Sequence, residues 1–340
     1  MNKINFASLD REAKVDILNQ TAVRTGIPAY AIEKDWWVNK VLKHLFKMEI
    51  GGHLVFKGGT SLSKAWKLIE RFSEDIDLAI DRKFMGFSGD LTKKERTKLR
   101  KATSEYLEYT FLPLFIESLN KADLGEIEIQ IIEPLSSDQD PRIIEVYYQT
   151  VIESPGYIKP RVQIEIGCRS LQEPFTIKQI QSAIDDEFPD AVFVEEIINI
   201  PCVNPERTFL EKVFLLHEEF QRPKEKIRVE RLSRHLYDVY QLHKSGFALK
   251  SMKDKLLYEI IVNHRMIFTK VGGVDYSLHQ PQTINPIPPD HLLGQWDADY
   301  KIMREQMIYG DSPSFDELIN GVIKVKEMIN GIGWKIDINE

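Results

Sequence analysis

The chain has 340 residues, of which 43% are apolar and 29% charged. This is enough for one large domain or two ordinary ones with an ample core, and it reads as soluble and globular. No apolar run approaches the roughly 18 residues that a membrane-spanning helix needs, and 45 basic against 52 acidic side chains leave a net charge of −7. That sign argues against broad wrapping of nucleic acid but leaves room for a local basic groove. The opening MNKINFASLDREAK lacks the apolar core of a secretory signal, and Cys168 and Cys202 form no CxxC pair. The expectation is a cytoplasmic protein without a disulfide framework, a structural zinc site or a membrane association.

In chain order, Asp10 caps a helix that runs to about Arg24, where Gly26-Ile27-Pro28 breaks it. A second helix spans about Tyr30 to Phe46, with Ile32, Trp36, Val38, Val41, Leu42 and Leu45 at helical spacing, and Gly51-Gly52 ends it. A short apolar strand, Leu54 to Phe56, leads into Gly58-Gly59-Thr60 and a helix through Leu62, Ala65, Trp66 and Ile69. Asp75 to Ile80 alternates with period two and reads as a strand. Residues 91–120 form a long helix, basic at its start through Lys93, Lys94, Arg96, Lys98, Arg100 and Lys101. Strands follow at about 125–132, 143–151, 161–167 and 192–198, with a helix near 177–187 between the last two.

From Asn204 onward the pattern is helical, at about 205–221, 227–244, 250–268, 295–309 and 314–330. Between 270 and 293 lies a loop rich in glycine and proline (Gly272, Gly273, Pro281, Pro286, Pro288, Pro289), either functional or mobile. The fold class is therefore α+β: a mixed-sheet domain over residues 1–204 with N-terminal helices, then an all-helical domain over 205–340 that completes an active-site cleft.

Two stretches carry the chemistry. In Phe56-Lys57-Gly58-Gly59-Thr60-Ser61 a strand runs through glycines, which permit close backbone approach, into a helix start that presents unpaired N–H groups. That arrangement suits phosphate; it is neither GxxxxGK[ST] nor GxGxxG. In Arg71-Phe72-Ser73-Glu74-Asp75-Ile76-Asp77-Leu78, Asp75 and Asp77 stand on one strand face about 7 Å apart, where a divalent cation offsets their repulsion. Hard oxygen donors suit Mg²⁺ or Mn²⁺. A phosphate cradle with paired carboxylates is the recipe for phosphoryl or nucleotidyl transfer. Either stretch alone is weak, a tight turn or a solvated strand end; in order and joined by one helix they are far more specific. Glu165, in a strand where it shares a face with Gln163, is the expected third metal ligand; the plain alternative is a pair with Arg161 or Arg169. Beside these stretches Lys57 reads as a phosphate contact and Arg71 as an orienter of Asp75 or a contact to the base or phosphate, with simple surface charge the alternative for both.

This ordered pattern resembles the polymerase-β-like nucleotidyltransferase superfamily, and within it the AbiEii/MenT family of type IV toxin–antitoxin and abortive-infection toxins. The gap from Gly59 to Asp75 suits that family rather than the generic pattern. The resemblance spans about residues 30–250, and two further family motifs fall within it: Lys212 in Phe209-Leu210-Glu211-Lys212-Val213, and Arg234-His235-Leu236-Tyr237-Asp238. The family often has Asp where His235 stands. On its own pattern Lys212 reads as a lysine snorkelling from an apolar helix stripe, and Arg234 with Asp238 as an i,i+4 ion pair. The resemblance instead implies that Lys212 binds the triphosphate as a point charge and that Asp238 is a base or orients Lys212 or the acceptor hydroxyl. It also implies a nucleoside triphosphate donor, an RNA acceptor such as a tRNA 3′ end, and a cognate antitoxin that need not touch the toxin. A small-molecule nucleotidyltransferase and a non-catalytic nucleotide-binding partner protein remain the alternatives. The basic starts at 93–101 and 222–228 read as RNA phosphate contacts or as solvated faces.

Overall fold

A computed structural model of the chain describes residues 4–134, 139–154, 159–169 and 174–338. It divides into two compact units. Unit 1 comprises Met1–Trp66 and Phe72–Val203; unit 2 comprises Lys67–Arg71 and Asn204–Glu340. The five residues 67–71 thus join the second unit while the chain on both sides of them belongs to the first.

Unit 1 opens with α1 (Arg11–Thr25), whose first turn is capped by the Asp10 carboxylate accepting from the Ala13 amide at 2.8 Å. Gly26, at φ +72°, ends it. Helix α2 (Ala29–Lys47) buries Ile32, Trp36, Val41, Leu42 and Leu45 almost completely. Seven strands form one mixed sheet in the order β3-β4-β5-β2-β1-β7-β6: β1 Leu54–Lys57, β2 Asp75–Ile80, β3 Ile127–Ile131, β4 Arg142–Tyr148, β5 Arg161–Gly167, β6 Phe175–Ile180 and β7 Ile198–Val203. Strand β2 runs antiparallel to β1 and parallel to β5. Ile76, Leu78, Ile144, Val146, Val162, Ile164 and Ile166 line one face and are fully buried, and α2 packs against β2 and β5.

The mixed sheet followed by helices is the α+β class read from the sequence, with local differences. Helix α3 (Gly58–Lys64) stops short of Trp66 and Ile69, and Lys67 takes a left-handed φ of 52°. The long helix is α4 (Lys93–Tyr106) and α5 (Leu112–Asn120) joined by a π turn at Leu107–Phe111. Of the helix expected near 177–187, residues 177–180 belong to strand β6 and only α6 (Ala183–Glu187) is helical. At the sheet edge β6 leaves Phe175 and Ile177 exposed, and Ile177, Ile180 and Ile184 fall at the three- and four-residue spacing of a helix. The strand expected at 192–198 lies at 198–203, across Pro201, a residue that ordinarily argues against a strand.

Unit 2 is built on α7 (Pro205–Phe220), α8 (Ser233–Lys244), α9 (Phe247–Ser251), α10 (Lys255–Phe268), α11 (Leu293–Gln306) and α12 (Phe315–Asn330). The helix expected over 227–244 begins only at Ser233, and the one expected over 250–268 is broken between α9 and α10, where Asp254 caps the second piece. The 270–293 loop is pinned by buried Tyr276, His279, Pro281 and Ile284 and holds three short 3₁₀ turns. Among the described residues no helix is long and apolar enough to cross a membrane.

Within this core the His217 Nδ1 accepts the Asn285 amide at 3.0 Å, which only an unprotonated nitrogen can do. Burial, then the neighbouring His279, pushes its pKa down to about 4. A depressed histidine value makes protonation favour the unfolded chain. Its contribution is therefore absent above the ordinary value near 6.5 and destabilises unit 2 as the pH falls from there toward 4, by about 2 kcal/mol at pH 5. A histidine NMR titration should find His217 neutral down to about pH 5; a midpoint near 6.5 would contradict this packing.

Candidate active site

The paired carboxylates of β2 sit at the centre of the sheet. Across one strand boundary Lys57 stands opposite Asp77; across the other, Gln163 stands opposite Asp75 and Glu165 opposite Asp77. Directly opposed residues share a face, so Lys57, Asp75, Asp77, Gln163 and Glu165 emerge together from the side that Ile76 and Leu78 leave. Each is half-buried. Sequence alternation put Asp75 with Asp77 and Gln163 with Glu165, and strand register brings the two pairs side by side.

This polar face is organised beyond the carboxylates. The Gln163 Nε2 donates to Glu165 Oε1 at 2.8 Å, and the Arg161 guanidinium donates to Gln163 Oε1 at 2.8 Å. Arg161 also pairs with Glu145 of β4, which accepts from the Tyr147 hydroxyl. Arg169, the other cation considered beside Glu165, pairs with Asp140 at 3.3 Å. Behind the strand entrance, the buried Lys34 Nζ donates to Glu74 at 2.7 Å and to the Lys159 carbonyl at 3.1 Å. Burial draws its pKa down, and the charges of Glu74 and then Asp75 oppose that.

Gly58 closes the other side of Asp77. It holds φ +75°, and a Cβ built on it would lie 2.0 Å from Asp77 Oδ2 and 2.7 Å from its Cγ. The close approach that this glycine permits is thus made by the catalytic-type carboxylate itself. Two neighbours in the motif point elsewhere. The Thr60 hydroxyl, buried, bonds to Ser73 Oγ at 3.0 Å and to the Asp75 carbonyl at 2.5 Å, fixing the entry to β2. Ser61 is buried beside Cys202. The Thr60 side chain braces the turn, and neither hydroxyl faces outward from it.

Asp75, Asp77 and Glu165 supply hard oxygen donors of the kind Mg²⁺ or Mn²⁺ takes. Among the described residues no three His, Cys, Asp or Glu side chains form a ready-made cage. The donor set still fits Mg²⁺, which is held by one or two carboxylates while water and substrate phosphates complete its shell.

Unit 2 holds the remaining motif residues. The Asp238 carboxylate, fully buried, receives Arg71 bidentately, Nε to Oδ1 and Nη2 to Oδ2, both at 2.7 Å. Lys212 Nζ lies 2.8 Å from Oδ2. Burial alone would raise the Asp238 pKa, but the Arg71 and Lys212 charges hold it well below the carboxylate range. The Lys212 value is lowered by burial, against the pull of Asp238. At 8% exposure this lysine is no snorkelling side chain. The expected i,i+4 partner of Asp238, Arg234, is replaced by these two. His235, where the family often has Asp, places Nδ1 3.4 Å from Lys212 Nζ, and burial, then Lys212, depresses its pKa far below the usual value, so it is a neutral imidazole. Beside Arg71, the Glu70 amide donates to the Tyr237 hydroxyl at 3.4 Å, and the Glu70 carbonyl accepts the Tyr309 amide at 3.0 Å.

Sequence reading assigned no role to Lys34, Glu74 or Glu145 and considered Arg161 only as a partner of Glu165; their partners lie on distant segments. The one available signal was charge inside otherwise apolar or alternating elements: Glu33-Lys34 inside α2 and Glu145 inside β4.

Replacing Asp238 with Asn would leave Arg71 and Lys212 charged and buried without their counter-ion. We expect unit 2 to lose about 3–5 kcal/mol of stability, read by urea unfolding. A loss under about 1 kcal/mol would show that the cluster does not carry charge as described.

A family model described as "Nucleotidyl transferase AbiEii toxin, Type IV TA system" matches residues 40–321. The match extends well past residue 250, where the motif resemblance ends, through the 270–293 loop and α11 into α12. A search among curated proteins found no match. With most of its length inside that model, and the family's motif residues gathered into the two clusters above, the chain belongs to the AbiEii family of nucleotidyltransferase toxins of type IV toxin–antitoxin systems.

Proposed function

We propose that the protein is a metal-dependent nucleotidyltransferase that moves a nucleoside monophosphate from a nucleoside triphosphate to an RNA hydroxyl, such as a tRNA 3′ end. The observation that carries the reading is the sheet face on which Asp75, Asp77 and Glu165 stand together, with Asp77 seated against Gly58. Asp75 and Asp77, with Glu165 beside them as a further oxygen donor, would hold the divalent cation together with water and substrate phosphates; when bound, it would neutralise phosphate charge and polarise the reacting phosphorus–oxygen bonds.

The protein's own residues do the rest. Backbone amides of Gly58 to Ser61 and the Lys57 ammonium meet the triphosphate. Gln163, fixed by Arg161, holds Glu165 in place. Lys212 and Arg71 form a separate cationic cluster on Asp238 within the helical unit, for which the family resemblance implies a phosphate-binding charge. Asp238 is their orienter rather than a general base: Arg71 and Lys212 hold its pKa well below the carboxylate range, which makes it a weak proton acceptor, and both of its oxygens are already bonded to cations. The neutral His235 accepts from Lys212 without adding charge. The family also implies a cognate antitoxin, whose contact with this chain, direct or not, is a separate matter.

The test is a transfer assay with Mg²⁺, total tRNA and each α-³²P nucleoside triphosphate in turn, beside an Asp77→Asn control. We expect label on tRNA with one or two of the donors, and none in the control or with EDTA, while the control's circular dichroism and unfolding stay unchanged. Asn at position 77 with full activity would sink the assignment of the carboxylates. Label on a small molecule instead of tRNA would move the acceptor to the antibiotic-modifying class. Nucleotide binding without turnover in the wild type would leave a binding protein.

A further inference from the structure

We propose that the outward face of α4 docks the phosphate backbone of a base-paired stretch of RNA, at a place other than the reacting end; the inference rests on the reading of RNA as acceptor. Residues 93–101 contain six lysines and arginines and one acid, Glu95, an excess of five positive charges in a chain whose net charge is −7. Lys93, Lys94, Lys98 and Lys101 are all exposed, while Leu99 and Thr103 turn inward, Thr103 toward Cys168 at the end of β5.

Folding does not account for these charges. Lys93, Lys94 and Arg96 lie in the first turn of the helix, where the macrodipole disfavours cations. The single acid is engaged in the Thr92–Glu95 capping box. Among the described residues, Lys101 alone of the four lysines stands within 4.0 Å of an acid, Glu105, in an exposed pair of little energetic weight, and Lys98 senses Glu95 only at longer range. Four exposed ammonium groups at positions 93, 94, 98 and 101 span about 12 Å of helix axis, a length over which double-stranded nucleic acid presents about seven phosphate charges. Their chemistry, flexible point charges without aromatic side chains between them, suits backbone contact rather than base reading or single-strand stacking.

The experiment compares wild-type protein with the quadruple variant K93Q/K94Q/K98Q/K101Q, by fluorescence anisotropy on a labelled RNA hairpin across a KCl series. We expect the variant to bind at least tenfold more weakly at low salt, with the slope of log K against log [KCl] reduced by about 2–4. Binding of the triphosphate alone should be unchanged, and thermal stability equal or slightly higher. Equal RNA affinity and slope in the two proteins would overturn the docking surface while leaving an RNA acceptor standing. Wild-type protein that binds no hairpin at any salt would overturn it together with the RNA reading. Capture of poly-glutamate but not RNA by these lysines would overturn it in favour of an acidic protein partner.

Discussion

A carboxylate sealed from water must be met by positive charge, and Asp238 is met by two cations. Arg71 takes both of its oxygens and Lys212 shares one. This explains why two sequence motifs, 167 positions apart at Arg71 and Asp238, are halves of one interaction. Tyr237 and Asp238, adjacent on α8, receive Glu70 and Arg71, adjacent on the 67–71 segment: the phenol oxygen accepts a backbone amide and the carboxylate accepts a guanidinium. The Tyr-Asp step of the family motif is thus a clamp on two consecutive residues. Removing one member leaves charge stranded in a dry interior, which is why the cost falls on the fold as well as on any chemistry.

The carboxylate face in unit 1 follows a different logic. There the charges are half-open, and the framework fixes their direction instead of cancelling them. Parallel pairing of β2 with β5 sets Glu165 beside Asp77, the Arg161–Gln163 chain fixes the Glu165 oxygen, and the absent Cβ of Gly58 lets the Asp77 carboxylate lie flat against the turn. Thr60, which reads in sequence as part of a phosphate cradle, serves that framework by bonding to the Asp75 carbonyl.

What the sequence made legible was local. Period-two alternation gave the faces of β2 and β5; glycine, caps and helical spacing gave most helices and the mixed-then-helical order of the chain. Strand neighbours were not legible, because the pairing of Asp77 with Glu165 depends on register between segments almost ninety positions apart, and no local pattern encodes that. Strand β6 was missed because Ile177, Ile180 and Ile184 fall at helical spacing across its end and the short helix α6 that follows. Lys212 looked like a snorkelling side chain because its counter-ion lies on another helix, and Asp238 looked paired to Arg234 because spacing reveals only partners on the same helix.

The path of residues 67–71 also bears on how such a protein can be taken apart. Trp66 and Phe72 belong to the sheet unit, while the five residues between them are bonded into the helical one. A gene cut at residue 204 would therefore not yield two self-sufficient modules. The N-terminal product would carry an orphaned arginine, and the C-terminal product would lack the strongest partner of its buried aspartate. Recombination that swaps helical units between relatives faces the same obstacle, since each exchange must preserve a five-residue graft lodged far upstream. The two units are coupled in heredity more tightly than their separate cores suggest.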